Sequence, residues 1–296
     1  MTSPPARTPD GTNSLLDSLD QGRVSDPIPG NGHDPHTRLG NGRFAGRAGS
    51  AEVPRVSVVI PTLNEAQNLP HVFAALPPEL FEVIVVDGRS TDDTIKVAQQ
   101  LRSDVQIVLD ERIGKGFALA RGFAAARGDI IVTLDGDGSM DPREIPAFVE
   151  ALLDGAHFAK GSRLLQGAGS DDNTQVRHLG NRGLTGLVNV LFGTRYTDLN
   201  YGYSAFWRPA LDAITIDCEG FEVETLICIR VARADLVVRE VASFEHRRLH
   251  GASKLHAVRD GLRVLRTILR ERLRRQGHVT VAMTGDPCAA YEQTRV

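Results

Sequence analysis

Short runs of apolar and β-branched residues alternate along this chain with stretches whose apolar positions recur at helical spacing. Residues 55–60 read as a strand closed by Pro61, and a helix opens at Asn64 and Glu65 and continues to residue 76. Further strands are expected at 81–87, 105–109, 130–134 and 158–160. Helices are expected at 91–101, capped by Ser90 or Thr91, at 115–126, and after Asp141-Pro142, where proline suits a first turn. Such alternation predicts a mainly parallel sheet with helices on both faces, joined by right-handed crossovers. Beyond Arg163 the pattern loosens into a polar loop over 166–174, a helix over 176–191, a strand over 203–207, a helix over 223–234 and a strand over 236–244.

Two of the predicted strands end in carboxylates. Val83-Ile-Val-Val-Asp87 is one, and Ile130-Ile-Val-Thr-Leu-Asp135-Gly-Asp137 is the other. In open α/β sheets ligands bind at the C-terminal ends of the strands. Two carboxylates two positions apart at such a point can share one hard divalent cation, and that cation can neutralise a diphosphate. An isolated Asp-x-Asp is commonly a solvated turn. Here it follows an apolar run, has Gly136 and Gly138 beside it, and comes after a second strand that also ends in Asp, which together favour a nucleotide-sugar site.

Residues 1–53 are rich in Pro, Gly, Ser, Asp and Arg and carry too little apolar sequence to fold, so they read as a disordered tail; residues 277–296 read likewise. The 296-residue chain is 41% hydrophobic and 24% charged, with room for one large α/β domain over 54–253. A net charge of −3 gives no global basic field for nucleic acid. The three cysteines have no metal-type spacing and cannot all pair, which favours a reducing compartment. No stretch approaches the roughly 18 apolar residues of a membrane span, and no secretory signal is evident, so a cytoplasmic protein is expected.

Taken in order, the motifs resemble family 2 glycosyltransferases of the GT-A fold, and among them the dolichyl- or polyprenyl-phosphate mannosyltransferase-like branch. Val58-Val-Ile60-Pro61-Thr-Leu-Asn64-Glu65 is similar to the opening nucleotide-binding strand and turn. Val86-Asp87-Gly-Arg-Ser90-Thr-Asp-Asp93-Thr is similar to the family's Asp-rich loop, with Gly88 and Arg89 in place of its usual Asp and Gly. Gly114-Lys115-Gly116, Arg127-Gly-Asp129 and the Asp-x-Asp continue the series. Gly161-Ser-Arg163, Arg177-x-x-x-Asn181, Asp198 to Arg208, Gly220-Phe-Glu222-Val-Glu224 and Arg248-Leu-His-Gly251-Ala-Ser253-Lys254-Leu255 resemble the lipid-phosphate branch. Ser139 replaces the family's Gln, and Asn181 its Ser.

The resemblance implies an inverting, metal-dependent hexosyl transfer from a nucleotide diphosphate sugar, GDP-mannose or UDP-glucose, to a polyprenyl or dolichyl phosphate. Pro61, Asn64 and Glu65 would belong to the donor site, and Asp87 would contact the base or cap the following helix. Asp135 would lie near the ribose or a metal-bound water, and Asp137 would ligate Mg²⁺ or Mn²⁺. Lys115, at a helix start, would meet an anion or simply stay solvated. Arg163, Arg177 and Asn181 would clamp the acceptor phosphate, for which planar guanidinium forks are well suited. Arg248, Ser253 and Lys254 would meet the donor diphosphate when a loop closes, or else decorate a solvated turn. Glu222 and Glu224 would order the acceptor loop, start a helix, or act as a base. An acceptor phosphate is already ionised and needs positioning more than a base.

Residues 254–276 form a basic amphipathic helix, with Val258, Leu262, Leu265, Leu269 and Leu273 on one stripe and Arg259, Arg263, Arg266 and Arg270 on the next. Two readings stand: peripheral contact with an anionic membrane at its inner face, or a Leu face packed on the catalytic domain or at a homodimer contact. Competing functions are transfer to a sugar hydroxyl of a soluble or glycan acceptor, a non-catalytic nucleotide-sugar-binding protein, and, more distantly, a nucleotidyltransferase.

Overall fold

A computed structural model describes residues 53–172, 174–252 and 256–274. The expected terminal tails, apart from Val53, and the pair Ser253 and Lys254 lie outside the described residues. A seven-stranded sheet forms the centre, in the order β3-β2-β1-β4-β7-β5-β8. Its strands are β1 Val56–Thr62, β2 Glu82–Asp87, β3 Gln106–Leu109, β4 Ile130–Thr133, β5 Phe158–Ser162, β7 Ser204–Trp207 and β8 Val238–Ala242. Only β7 runs against its neighbours, β4 and β5, so the sheet is mainly parallel as expected. A two-stranded ribbon joins β6 Gly169–Ser170 to β9 Phe244–Glu245, inside segments expected to be a polar loop and the end of a strand.

Successive β residues face opposite sides, and both sides are covered. Val58, Ile60, Val83, Val85, Ile130 and Val132 pack with α1 Leu69–Ala75, α2 Thr94–Leu101 and α4 Ile145–Leu153. Val59, Ile84, Val86 and Ile131 pack with α3 Lys115–Ala125, α6 Val223–Arg233 and parts of α5 Gln175–Phe192 and α7 Ala257–Leu273. Parallel strands buried on both faces explain the continuous apolar runs. The chain leaves β1 towards β2 and β3, then returns to place β4 on β1's other side, so a crevice opens beyond the C-terminal ends of β1 and β4.

Three boundaries differ from expectation for local reasons. Strand β1 continues through Pro61 because pairing with β4 has ended at Val59↔Thr133, so no partner there needs the proline's missing N–H. Helix α1 starts at Leu69 rather than at Asn64 or Glu65. Asn64 adopts φ 60°, and the amides of Asn64 and Glu65 donate to Ser90 Oγ and Thr94 Oγ1, both at 2.8 Å, which diverts them from helical bonding. Helix α2 begins at Thr94, whose amide is taken by Asp92 Oδ1 at 3.0 Å rather than by Ser90 or Thr91.

Helix α7 docks through a mixed face, not its leucine stripe. Asp260, Val264, Thr267, Ile268 and Glu271 are buried, whereas Val258, Leu262, Leu269 and Leu273 are exposed, Leu273 by 83%. Ion pairs set this rotation: Glu271, 1% exposed, meets Arg230 at 3.0 Å and Arg233 at 3.5 Å, while Asp217 meets Arg230, Arg270 and Arg274 at 2.8–3.0 Å. Among the described residues, no helix is long and apolar enough to cross a membrane. Removing one partner of a buried pair strands the other, at a cost of about 3 kcal/mol. Glu271→Ala is therefore expected to lower unfolding free energy by about that amount in urea denaturation, against less than about 1 kcal/mol for the exposed Arg272→Ala.

Candidate active site

The crevice holds two adjoining cavities, about 400 and 310 Å³, that share Asp135, Asp137, Lys115, Phe221, Arg248 and Asp260. Pro61, Glu65 and Gly88 continue the wall of the larger one; Arg163, Arg177, Asn181, Asn200 and His246 continue the smaller. The residues expected for donor and for acceptor thus fall on two sides of one carboxylate pair.

That pair sits in the turn after β4, held in place by its own neighbours. Asp137 Oδ1 accepts from the Ser139 amide at 3.0 Å and hydroxyl at 2.7 Å, so Ser139 performs a local orienting role. Its other oxygen takes Arg248 Nη2 at 3.1 Å, and the same guanidinium reaches Glu65 at 2.8 Å. Asp135 receives Lys115 Nζ at 2.6 Å, and that ammonium also meets Glu224 at 2.8 Å. Each member of the pair therefore shares a cation with a second acid. Burial pushes the Asp135 carboxyl up to about 6, Lys115 pulls it down, and the neighbouring charge of Asp137 adds to the rise. The acids around Lys115 raise its own pKa despite burial, so it stays an ammonium.

The glycines around Lys115 serve packing. A methyl group on Gly114 would lie 2.2 Å from the Glu219 carbonyl oxygen, and one on Gly116 2.2 Å from that of Cys218. The Gly116 amide donates to Glu219 O at 2.9 Å, so this part of the helix start is satisfied by protein. Arg127 and Asp129 are likewise structural, pairing with Glu82 at 2.9 Å and Arg55 at 3.2 Å.

Asp87 is 2% exposed and accepts from the Ser90 amide at 2.9 Å, while adjacent Gly88 lines the cavity. Asn64 Oδ1 accepts from the Thr91 amide at 2.7 Å, tying the loop after β1 to the loop after β2. Neither Asp87 nor Asn64, both expected in the donor site, lines either cavity; they brace the loops beside the larger one.

Around the smaller cavity the expected clamp is divided. Arg163 is engaged by Asp198 at 2.7 and 2.9 Å and by Glu245 at 2.9 Å, and its side chain is only 12% exposed. Asn181 donates to Asp198 at 2.7 Å and accepts from Asn200. Arg177 has a looser partner, Asp172, at 3.1 Å on the surface. It is the clamp arginine able to exchange a protein carboxylate for a ligand, since exposed pairs contribute little. Of the two acids that fix Arg163, Asp198 opens the Asp198 to Arg208 motif, whereas Glu245 belongs to no motif in the sequence. The available sequence signal for Asp198 is an acid between Tyr196 and Tyr203 in an aromatic-rich segment, and the fold buries it fully. Glu224 Oε2 and Glu222 Oε2 are buried without a hydrogen-bond partner.

Asp135 and Asp137 fit a hard divalent cation. Their side chains stay 27% and 19% exposed towards the cavities, and they offer oxygen donors only. Among the described residues, no group of three or more His, Cys, Asp or Glu side chains forms a metal site of its own. The two aspartates would supply part of a coordination shell and leave places for phosphate oxygens and water.

The profile described as "Glycosyl transferase family 2" matches residues 57–215. The chain belongs to that family, and it is a glycosyltransferase. It is 32% identical to glycosyltransferase AglD of Haloferax volcanii over 74% of this chain and 38% of that one. It is 31% identical to a dolichol-phosphate mannosyltransferase of Pyrococcus furiosus over 68% of this chain and 59% of that one. The chain thus spans between about two fifths and three fifths of those relatives' lengths. Among solved structures, glucosyl-3-phosphoglycerate synthase of Mycobacterium tuberculosis, in complex with Mn²⁺, UDP and glucosyl-3-phosphoglycerate, superposes with a TM-score of 0.61 at 27% identity, over 76% of this chain and 82% of that one. The fold is the GT-A type that these neighbours share.

Burial alone would raise Asp198, but the Arg163 hydrogen bonds and charge hold it at about 2, below the ordinary 3.8. A depressed carboxyl stabilises the fold above the unfolded value, and that contribution disappears as pH falls from about 4 through about 2. The stability difference between the wild type and Asp198→Asn, measured by urea unfolding, is expected to shrink by about 2 kcal/mol between pH 5 and pH 2.

Proposed function

We infer that this glycosyltransferase moves a hexose from a nucleotide diphosphate sugar, GDP-mannose or UDP-glucose, to a polyprenyl phosphate. The observation that carries this reading is the make-up of the smaller cavity, where a replaceable guanidinium, Arg177, stands beside the exposed apolar side chains of Val176 and Val258. A charged head joined to a hydrocarbon tail matches both features.

The donor occupies the larger cavity, against Pro61 and Gly88, with its diphosphate at Asp135 and Asp137. Those carboxylates would hold a divalent cation, Mg²⁺ or Mn²⁺, which would supply charge neutralisation to the nucleotide diphosphate. Lys115 holds Asp135 in place, and Arg248 holds Asp137. The acceptor phosphate enters from the smaller cavity, so it approaches the anomeric carbon on the side away from the leaving group. Such an approach gives inversion. The phosphate is its own nucleophile, so Arg177 and the Asp198-anchored Arg163 and Asn181 position it and no base is required.

Helix α7 supports a peripheral position on the cytoplasmic face of a membrane. Its open Val258, Leu262, Leu269 and Leu273 suit shallow insertion beside its arginines, each of which adds about 1 kcal/mol near an anionic surface. A second reading, transfer to a hydroxyl of a soluble acceptor, draws on one specific feature. Glu224 lines the smaller cavity with one oxygen unpartnered, and such a carboxylate could take the proton of a hydroxyl.

Incubation with labelled GDP-mannose or UDP-glucose, polyprenyl phosphate and Mg²⁺ or Mn²⁺ is expected to deliver label from one donor into the butanol phase, with EDTA abolishing transfer. Donor turnover that leaves all label in water would sink the lipid-phosphate reading in favour of the hydroxyl one. In the same assay Arg177→Ala is expected to raise the acceptor KM about tenfold or more while changing the donor KM less than about twofold. Equal effects on both would contradict its placement.

A further inference from the structure

The cations facing the carboxylate pair are already committed. Lys115 lies between Asp135 and Glu224, and Arg248 between Asp137 and Glu65. The diphosphate of a nucleotide sugar carries two negative charges, which one divalent ion formally matches, and it gains a third when the bond to the sugar breaks. The larger cavity therefore needs further positive charge from side chains not neutralised by protein acids. Its wall contains two such residues, Arg259 and Arg263, both from α7. Among the described residues neither has an ion-pair partner, in contrast to Arg270 and Arg274 further along the same helix.

Their spacing is also suitable. Residues four apart on a helix lie one above the other on the same face, so both guanidinium groups reach the same cavity. Arg263 is half-buried, with its Nη1 only 3.0 Å from where a methyl group on Gly220 would stand, so the bare glycine leaves room for it. Between them, Asp260 faces inwards and accepts from the His256 amide at 2.8 Å, which fixes the first turn of the helix. The docking contacts of Ile268 and Glu271 hold the rest.

We propose that Arg259 and Arg263 of α7 are ligands for the donor's diphosphate, forming the cavity wall that faces Asp135 and Asp137. The inference rests on the reading of the larger cavity as a nucleotide-diphosphate site and extends it to a helix that sequence reasoning assigned to a membrane surface or a packing contact. One helix then serves two surfaces: arginines turned to the donor and an apolar stripe turned outwards.

The test is calorimetric titration of the full chain with UDP and GDP, and with UMP and GMP, each in the presence of Mn²⁺. The wild type is expected to bind one diphosphate well above its monophosphate. In the double variant Arg259→Ala/Arg263→Ala, affinity for that diphosphate should fall about tenfold or more while monophosphate affinity changes less than about threefold. The double lysine variant, which keeps the charge and loses the fork, should recover part of the loss. Neither arginine takes part in docking α7, so the melting midpoint should stay near that of the wild type. Wild-type diphosphate affinity in the double alanine variant, or equal losses for mono- and diphosphate, would overturn the inference and leave the donor reading intact. A wild type that binds neither UDP nor GDP would overturn both.

Discussion

Placing Asp135 and Asp137 two positions apart in a part-buried turn creates an electrostatic problem that much of the surrounding structure answers. Burial and the neighbouring charge of Asp137 raise the Asp135 carboxyl to about 6, against the pull of Lys115. Here each is matched with one protein cation that is itself shared with a second acid: Lys115 with Glu224, Arg248 with Glu65. The consequences spread through the fold. The glycines beside Lys115 let α3 approach the backbone at residues 218–219, which brings the start of α6 and Glu224 into range. Glu65 is in turn held by the loop that Asn64 pins to β2. Acids outnumber committed cations at this centre, which suits a site that binds a divalent ion together with an anion.

Much of the sheet was legible because parallel strands covered on both faces must be almost continuously apolar, and residues 83–86 and 130–134, broken only by Thr133, are. The position of the carboxylates followed from where those runs stop. Boundaries set by side chains from elsewhere were not legible: the α1 start depends on Ser90 and Thr94, far along the chain from Asn64. The short β6/β9 ribbon, with Gly169 and Ser170 paired to Phe244 and Glu245, has no periodic signal at all.

The candidate site divides the same way. Residue types and order brought Asp135, Asp137, Lys115 and Arg248 to one crevice, but their mutual pairing is a tertiary fact. A lysine between glycines reads as a ready anion ligand, while in the fold its charge belongs to Asp135 and Glu224. Arg163 illustrates the complementary case: a motif arginine whose partners, Asp198 and Glu245, lie 35 and 82 positions away. Helix α7 shows why an amphipathic pattern alone does not choose a face. Its leucine stripe is the more apolar, yet the buried Glu271 and its arginines decide the rotation, leaving leucines outside and turning Arg259 and Arg263 to the larger cavity.

At the centre of this account is a carboxylate pair that completes a cation site only together with a diphosphate. Water-proton relaxation enhancement by Mn²⁺ measures that dependence directly. The account predicts weak enhancement with the protein alone and a strong ternary signal when UDP or GDP is added, lost in Asp135→Asn/Asp137→Asn. Equal enhancement with and without nucleotide, or a signal that survives those substitutions, would contradict it.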